Sequence, residues 1–180
     1  MTSSLLVRSA GAGDAAACAE VYGPYVDGSV ITFETVRPSA REMAERIADA
    51  QQKHAWLVAE SDGGVLGYAY AHRFSGRAAY DWSCETSIYL APAARGHGVG
   101  RMLYAALLDR LVERGLRRAF AGVTLPNDAS LGLHRAFGFT DAGLYRAVGW
   151  KDGRWLDVAW LQRDLGRPGA DPLAPPLRTH

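Results

Sequence analysis

Only two cysteines, Cys18 and Cys84, occur in 180 residues. Two distant thiols suggest neither a disulfide framework nor a cysteine-based metal site. Cys18 falls in a helical pattern and Cys84 in a β-prone run, so both read as small core residues. Charge of one sign is missing too: 20 Lys and Arg against 19 Asp and Glu leave a net +1. That balance gives no electrostatic case for nucleic acid, and Arg117-Arg118 reads as a solvated helix-to-strand turn. No apolar run approaches the about 20 residues of a membrane span, and no secretory apolar segment opens the chain. A soluble, cytoplasmic chain without metal or membrane partner is expected. Repeats and linkers are also lacking, so one domain over residues 1–165 is expected. The stretch from Gly166 to His180 carries four prolines and little apolar periodicity, and reads as a loose tail.

What is present is apolar: 48% of residues are hydrophobic, enough for a sizeable core. Leu5–Arg8 reads as a first strand. Asp14 is placed to cap a helix reaching about Tyr25, with Pro24 disturbing its last turn. Ser29–Thr35 is β-prone. Ser39-Ala40-Arg41-Glu42 is a capping box that opens a helix to about Gln52. Trp56–Glu60 and Val65–Tyr70 flank Ser61-Asp62-Gly63-Gly64, a hairpin signal. Tyr80–Leu90 reads as a longer strand. A helix over 98–114 ends at Gly115, followed by a strand at Ala119–Val123 and a helix at Asp128–Ala136. A strand pair, 140–148 and 155–162, closes the pattern around Lys151-Asp152-Gly153. A meander followed by alternating strands and helices predicts a mixed α/β sheet.

The most informative segment is Arg95-Gly96-His97-Gly98-Val99-Gly100-Arg101, which lies between Thr86-Ser87-Ile88-Tyr89-Leu90 and a helical pattern. Glycines let a backbone turn tightly and approach a ligand. The first amides of the helix lack intrahelical partners and suit a phosphate or pyrophosphate. A Walker loop would need Lys-Ser/Thr after its last glycine, and a dinucleotide fingerprint needs G-x-G-x-x-G; neither spacing occurs.

The spacing Arg-x-x-Gly-x-Gly resembles the pyrophosphate loop of the GNAT superfamily of acyl-CoA N-acyltransferases. A second block, Asn127 to Phe139, is similar to that superfamily's later motif: Asn, a short helix, then a Gly-aromatic step into a strand. Further stretches narrow the likeness: Ile31-Thr32-Phe33-Glu34-Thr35, Tyr80-Asp81-Trp82-Ser83-Cys84-Glu85 and Gly149 to Val158. These resemble phosphinothricin N-acetyltransferases and the related methionine sulfoximine acetyltransferases, over about residues 5–165.

The resemblance implies a GNAT-type mixed, mostly antiparallel central sheet flanked by helices. It implies acetyl transfer from acetyl-CoA to the α-amine of an amino-acid analogue such as phosphinothricin or methionine sulfoximine or sulfone, by direct attack on the thioester. Main-chain groups of Ile88, Tyr89 and Leu90 would meet the pantetheine arm. Arg95, Gly96, His97, Gly98, Val99, Gly100 and Arg101 would hold the pyrophosphate, with Asn127 and Ser130 also at the cofactor. Acceptor contacts would come from Phe33, Arg73, Phe74, Ser75, Arg77, Glu85, Thr86 and Ser87. A homodimer is implied, with the C-terminal strands near the partner.

Two residues carry the chemistry in this reading. Glu85 is the expected base, because a substrate ammonium must lose a proton before it is nucleophilic. His134 stands where many relatives carry a Tyr thought to protonate the departing thiolate. Its imidazole could donate that proton, take one from the amine, or simply pack the helix and touch CoA. Arg73 and Arg77 offer planar forks for a carboxylate, phosphinate or sulfone oxygen, or are surface loop residues. Other readings are an acetyltransferase for a different small amine or a protein N-terminus, and an acetyl-CoA-binding sensor without turnover.

Overall fold

The computed structural model describes residues 5–62 and 64–166. Seven strands form one sheet: β1 Leu6–Ser9, β2 Ala55–Ser61, β3 Gly64–Arg73, β4 Ser83–Leu90, β5 Arg118–Thr124, β6 Thr140–Lys151 and β7 Arg154–Asp164. Their order is β1-β2-β3-β4-β5-β7-β6. Every pairing is antiparallel except β4 with β5. Four helices, α1 Ala15–Gly28, α2 Ala40–Lys53, α3 Val99–Glu113 and α4 Asp128–Ala136, complete the mixed α/β fold expected. The expected tail lies outside the described residues, Gly166 apart. Among the described residues no helix is long and apolar enough to cross a membrane.

Two cores clamp the sheet. On one face α3 contributes Leu103, Tyr104, Leu107 and Leu111 against Ala69, Ala71, Cys84, Ala119 and Phe139. On the other, α1 and α2 contribute Cys18, Tyr22, Met43 and Ile47 against Trp56, Val58 and Tyr68. Both cysteines are fully buried, and burial pushes each thiol up to about 12. Helix α2 starts as read: Ser39 Oγ accepts from the Glu42 amide, and the Glu42 carboxylate accepts from the Ser39 amide.

The elements depart from the sequence reading at four places. The Asp14 side chain does not cap α1; it accepts from the Gly11 amide and both guanidinium nitrogens of Arg8 instead. Helix α1 runs through Pro24 to Gly28. The β-prone run 29–35 forms no strand, because the sheet ends at β1 and β6 and this segment crosses a face. Strand β4 begins at Ser83 rather than Tyr80: β3 stops at Arg73, which pairs with Cys84, so residues 78–80 lack a ladder partner and form a 3-10 turn.

Candidate active site

The parallel pair β4–β5 is short. Ser83, Cys84 and Glu85 pair with Arg118, Ala119 and Phe120, and the ladder stops there. Beyond Glu85 the two strands diverge, leaving a wedge in the middle of the sheet. A cavity opens on each side of it, with a narrow passage between them lined by Thr86, Ser87, Gly122, Asn127, Ser130 and His134.

The first cavity, about 440 Å³, is lined by Ile88, Leu90, Arg95, Gly96, Gly98, Gly100, Arg101, Asn127 and Ser130, together with Tyr25, Ile31, Ala129 and Leu133. Gly96 and Gly98 have φ of +78° and +80°, and a Cβ on either would project into open space. The glycines there answer a backbone requirement, not a crowded neighbour. Helix α3 begins directly after Gly98. Its first main-chain bond runs from the Met102 amide to the Gly98 carbonyl, so the Val99, Gly100 and Arg101 amides precede the ladder and face outward. Arg95 lies over the Tyr25 ring at 5.1 Å. His97 is exposed and the Val99 side chain is buried; neither lines the cavity. This pocket, mostly apolar with a cationic and amide-rich mouth, fits a long thiol ester ending in phosphates.

Strand alternation decides what β4 gives to each side. The Ala91 amide bonds the Leu66 carbonyl, so in this antiparallel register Tyr89 and Ser87 exchange main-chain bonds with Tyr68 and Tyr70. Main-chain groups of Ile88 and Leu90 turn the other way, toward the wedge. Those of Leu90 are taken: the Tyr25 hydroxyl donates to its carbonyl at 2.7 Å and accepts from its amide at 3.1 Å. Of the three residues expected to meet a pantetheine arm, Ile88 alone keeps its main-chain pair directed at the opening.

The second cavity, about 470 Å³, is lined by Tyr22, Ile31, Thr32, Phe33, Glu34, Tyr70, His72, Glu85, Ser87, Tyr89, Gly122, Thr124, Tyr145, Val148, Val158 and Trp160. Phe33, Glu85 and Ser87 were expected here and are present. Thr86 points to the opposite face, where its Oγ1 meets the Tyr104 hydroxyl at 2.7 Å and the Phe120 carbonyl at 3.1 Å. Arg73, Phe74, Ser75 and Arg77 do not line this cavity. Arg73 ends β3, the Phe74 ring stacks on Phe120 at 4.3 Å, and Arg77 leads into the 3-10 turn. The cavity instead recruits Tyr22, a residue without a motif signal, and Glu34, from the same Ile31–Thr35 stretch as Phe33. Glu34 is gripped by both outer nitrogens of Arg46 at 2.7 and 3.0 Å. Tyr145 and Val148 arrive through a bulge in β6, where the register with β7 jumps between Tyr145 and Gly149. Ala147 there has φ +48° and its amide is held by Asp157 at 2.7 Å. A bulge re-aims side chains, and alternation alone does not reveal it.

Two titratable groups sit along the path between the cavities. Burial raises Glu85 above the ordinary carboxylate range, with a smaller lowering from His72, whose Nε2 is 4.0 Å from Glu85 Oε2. His134 is 3% exposed, and burial lowers it despite a bond to the Ser130 main chain. Its Nδ1 lies 2.7 Å from the Ser130 carbonyl, an acceptor only, so Nδ1 carries the hydrogen. Nε2 is then a lone pair, buried and without a protein partner. The ring is held edge-on by Tyr104 and Phe139. Among the described residues no cluster of three His, Cys, Asp or Glu could hold a metal ion.

Residues 27–139 match the Acetyltransferase (GNAT) family. The chain belongs to the GNAT acetyltransferase family. A phosphinothricin N-acetyltransferase of Streptomyces viridochromogenes is 38% identical over 162 residues, covering 90% of this chain and 88% of that protein. An L-methionine sulfoximine/L-methionine sulfone acetyltransferase of Pseudomonas paraeruginosa is 35% identical over 164 residues, covering 90% and 95%. The crystal structure of a GNAT superfamily phosphinothricin acetyltransferase from Sinorhizobium meliloti, in complex with acetyl-CoA, superposes with a TM-score of 0.87 at 41% identity, covering 96% and 94%.

Proposed function

We propose that this GNAT enzyme transfers the acetyl group of acetyl-CoA to the α-amine of a small amino-acid analogue of the phosphinothricin or methionine sulfoximine and sulfone type. The observation that carries this reading is the pair of cavities meeting at the β4–β5 wedge, with the Glu85 carboxylate on one side and the α3 amides on the other. Acetyl-CoA supplies an activated acetyl thioester and leaves as the free thiol. The amides of residues 98–101 and the guanidinium groups of Arg95 and Arg101 suit its pyrophosphate. Ile88 offers main-chain groups to its arm, and Asn127 and Ser130 border the same cavity. Main-chain and Arg contacts of this kind fix the reacting end by holding the distant end.

Glu85 takes the proton from the incoming ammonium, leaving the nitrogen lone pair free to bond the acetyl carbon. Its raised affinity for a proton brings it nearer to neutrality, where such a base works best. His134 enters the reaction as an acceptor, since its Nδ1 hydrogen is committed to Ser130. Nε2 can return a proton to the departing thiolate only after it has received one. The acceptor side chain lies among Phe33, Tyr145 and Trp160. We further propose a homodimer through the β6–β7 hairpin, where Tyr145, Val148, Trp150 and Trp155 are each more than half exposed. Sedimentation at micromolar concentration tests it, and a monomer there rejects it.

The decisive assay mixes enzyme, acetyl-CoA and single acceptors and follows thiol release with product mass. Phosphinothricin, methionine sulfoximine and methionine sulfone should outpace methionine. A panel in which aryl amines, polyamines or peptide N-termini are the best acceptors and these compounds are inert rejects the reading. Acetyl-CoA binding without turnover on any amine would identify a sensor.

A further inference from the structure

Lys151 closes β6 with its side chain turned inward, 6% exposed. A lysine is rarely this buried unless its charge is paired or hydrogen-bonded. Here the ammonium donates to three main-chain carbonyls: Val26 at 2.8 Å, Thr32 at 2.9 Å and Glu34 at 3.0 Å. An ammonium has three donors, and all three are used. The Val26 carbonyl belongs to the last turn of α1, where the final carbonyls lack helical partners and carry the negative end of the helix dipole. Thr32 and Glu34 bracket Phe33 in the segment that crosses the sheet face without a strand partner. Two residues before Lys151, Gly149 lies beneath Phe33, and a Cβ there would run into the ring.

We infer that Lys151 is a positioning residue for acceptor recognition: it ties the 29–36 segment, and with it Phe33 and Glu34, to the last hairpin and so sets one wall of the acceptor cavity. The inference rests on the acetyltransferase reading above. It deepens that reading by assigning acceptor specificity to a residue that does not line the cavity. Arg46 grips the Glu34 side chain at the outer end of the wall, and the main chain on either side of Phe33 has few other holds. The Thr32 hydroxyl meets the Tyr22 hydroxyl at 2.6 Å and accepts from the Glu34 amide at 3.2 Å, while Thr124 reaches the Ile31 carbonyl only at 3.5 Å. A cation holding two carbonyls that flank one aromatic fixes that ring's direction. Neutral hydroxyl contacts at the edge do so less firmly.

The test uses Lys151→Met, which keeps the chain length and removes the charge. With the best amine of the panel, the acceptor KM should rise about tenfold or more, as expected for losing bonds to a charged group, while the KM for acetyl-CoA stays within about twofold. Amide exchange over residues 29–36 should quicken about tenfold, with 96–103 unchanged. An unmoved acceptor KM, an equal rise in both KM values, or unaltered exchange in the 29–36 segment of the folded variant overturns the inference. Should Lys151→Met fail to fold, Lys151→Arg decides, since it keeps the charge but cannot set three donors on the same three carbonyls: a rise in acceptor KM alone with faster exchange over 29–36 supports the positioning role, and unchanged kinetics overturn it. If the wild type acetylates none of the compounds proposed above, the acceptor assignment fails while amide exchange still decides the role of Lys151.

Discussion

The two cavities flanking the β4–β5 wedge are built from different materials. In the proposed reading the acetyl-CoA side rests on a contiguous stretch, residues 95–101, whose main chain would do the binding. Its glycines sit at positive φ and its free amides follow from where α3 begins. The acceptor side draws side chains from α1, the 29–36 segment, and β3, β4, β5, β6 and β7. A main-chain cradle tolerates many side chains but few losses of glycine. A wall of dispersed side chains can change at any one position and alter which amine fits. One fold can therefore keep one co-substrate and serve several acceptors.

The largest effect should come from breaking the cradle. Gly98→Asp adds a negative charge and a side chain where the proposed cradle would hold phosphate. Titration with acetyl-CoA should show affinity lower by about a hundredfold or more, as for several lost charge-assisted bonds. The melting temperature without ligand should fall by a few degrees, because the new side chain meets open space but must adopt the left-handed φ of +80° at a cost of about 1–2 kcal/mol. Normal binding by this variant would move the cofactor elsewhere.

A smaller effect sharpens the acceptor side. Phe33→Ala should raise the acceptor KM about tenfold through lost aromatic contact, and leave the KM for acetyl-CoA unchanged. Arg73→Ala and Arg77→Ala should each change the acceptor KM by less, because neither side chain lines the cavity. The reverse ranking would show that the arginines grip the acceptor after all.

The smallest effect separates pH dependence of the fold from that of the site. His54, 7% exposed at the end of α2, is lowered from 6.5 to about 4, chiefly by burial and then by the charge of His72. The folded state therefore keeps it neutral while the unfolded chain takes up a proton. Stability held above pH about 6.5 should fall as pH drops toward about 4. Urea midpoints across that window should show the loss, and His54→Gln should flatten it without changing acetyl-CoA affinity at neutral pH.

The same contrast explains what was legible in the sequence. The loop at 95–101, the capping box at Ser39 and the helix Asp128–Ala136 are local, and local signals survive translation into structure. Glu85, Ser87 and Phe33 could be placed on the acceptor side through family likeness. Thr86 could not, because likeness runs along contiguous residues while strand alternation turns its side chain to the α3 face. Run 29–35 has strand composition yet passes over a face of the sheet, away from the edges β1 and β6, so topology overrides propensity. Tyr22, Glu34 and Tyr145 reach the cavity by tertiary routes: a helix face, an ion pair with Arg46, and a bulge pinned by Asp157. Tyr22 and Tyr145 have no signature within a few residues, and the likeness at Ile31–Thr35 does not give the direction of the Glu34 side chain. Lys151 is the extreme case, since its three partners are more than a hundred residues away.

The role of Glu85 is the point on which the account turns, and the pH profile of kcat/KM for Glu85→Gln tests it most directly. In the wild type the rate should climb as pH rises through the elevated Glu85 titration, because the base works only when ionised. Glu85→Gln should lose about 10²–10⁴-fold at neutral pH, lack that limb, and regain part of its rate at high pH, where the acceptor amine is already neutral. A variant profile with the wild-type shape would contradict the account and remove Glu85 from the chemistry.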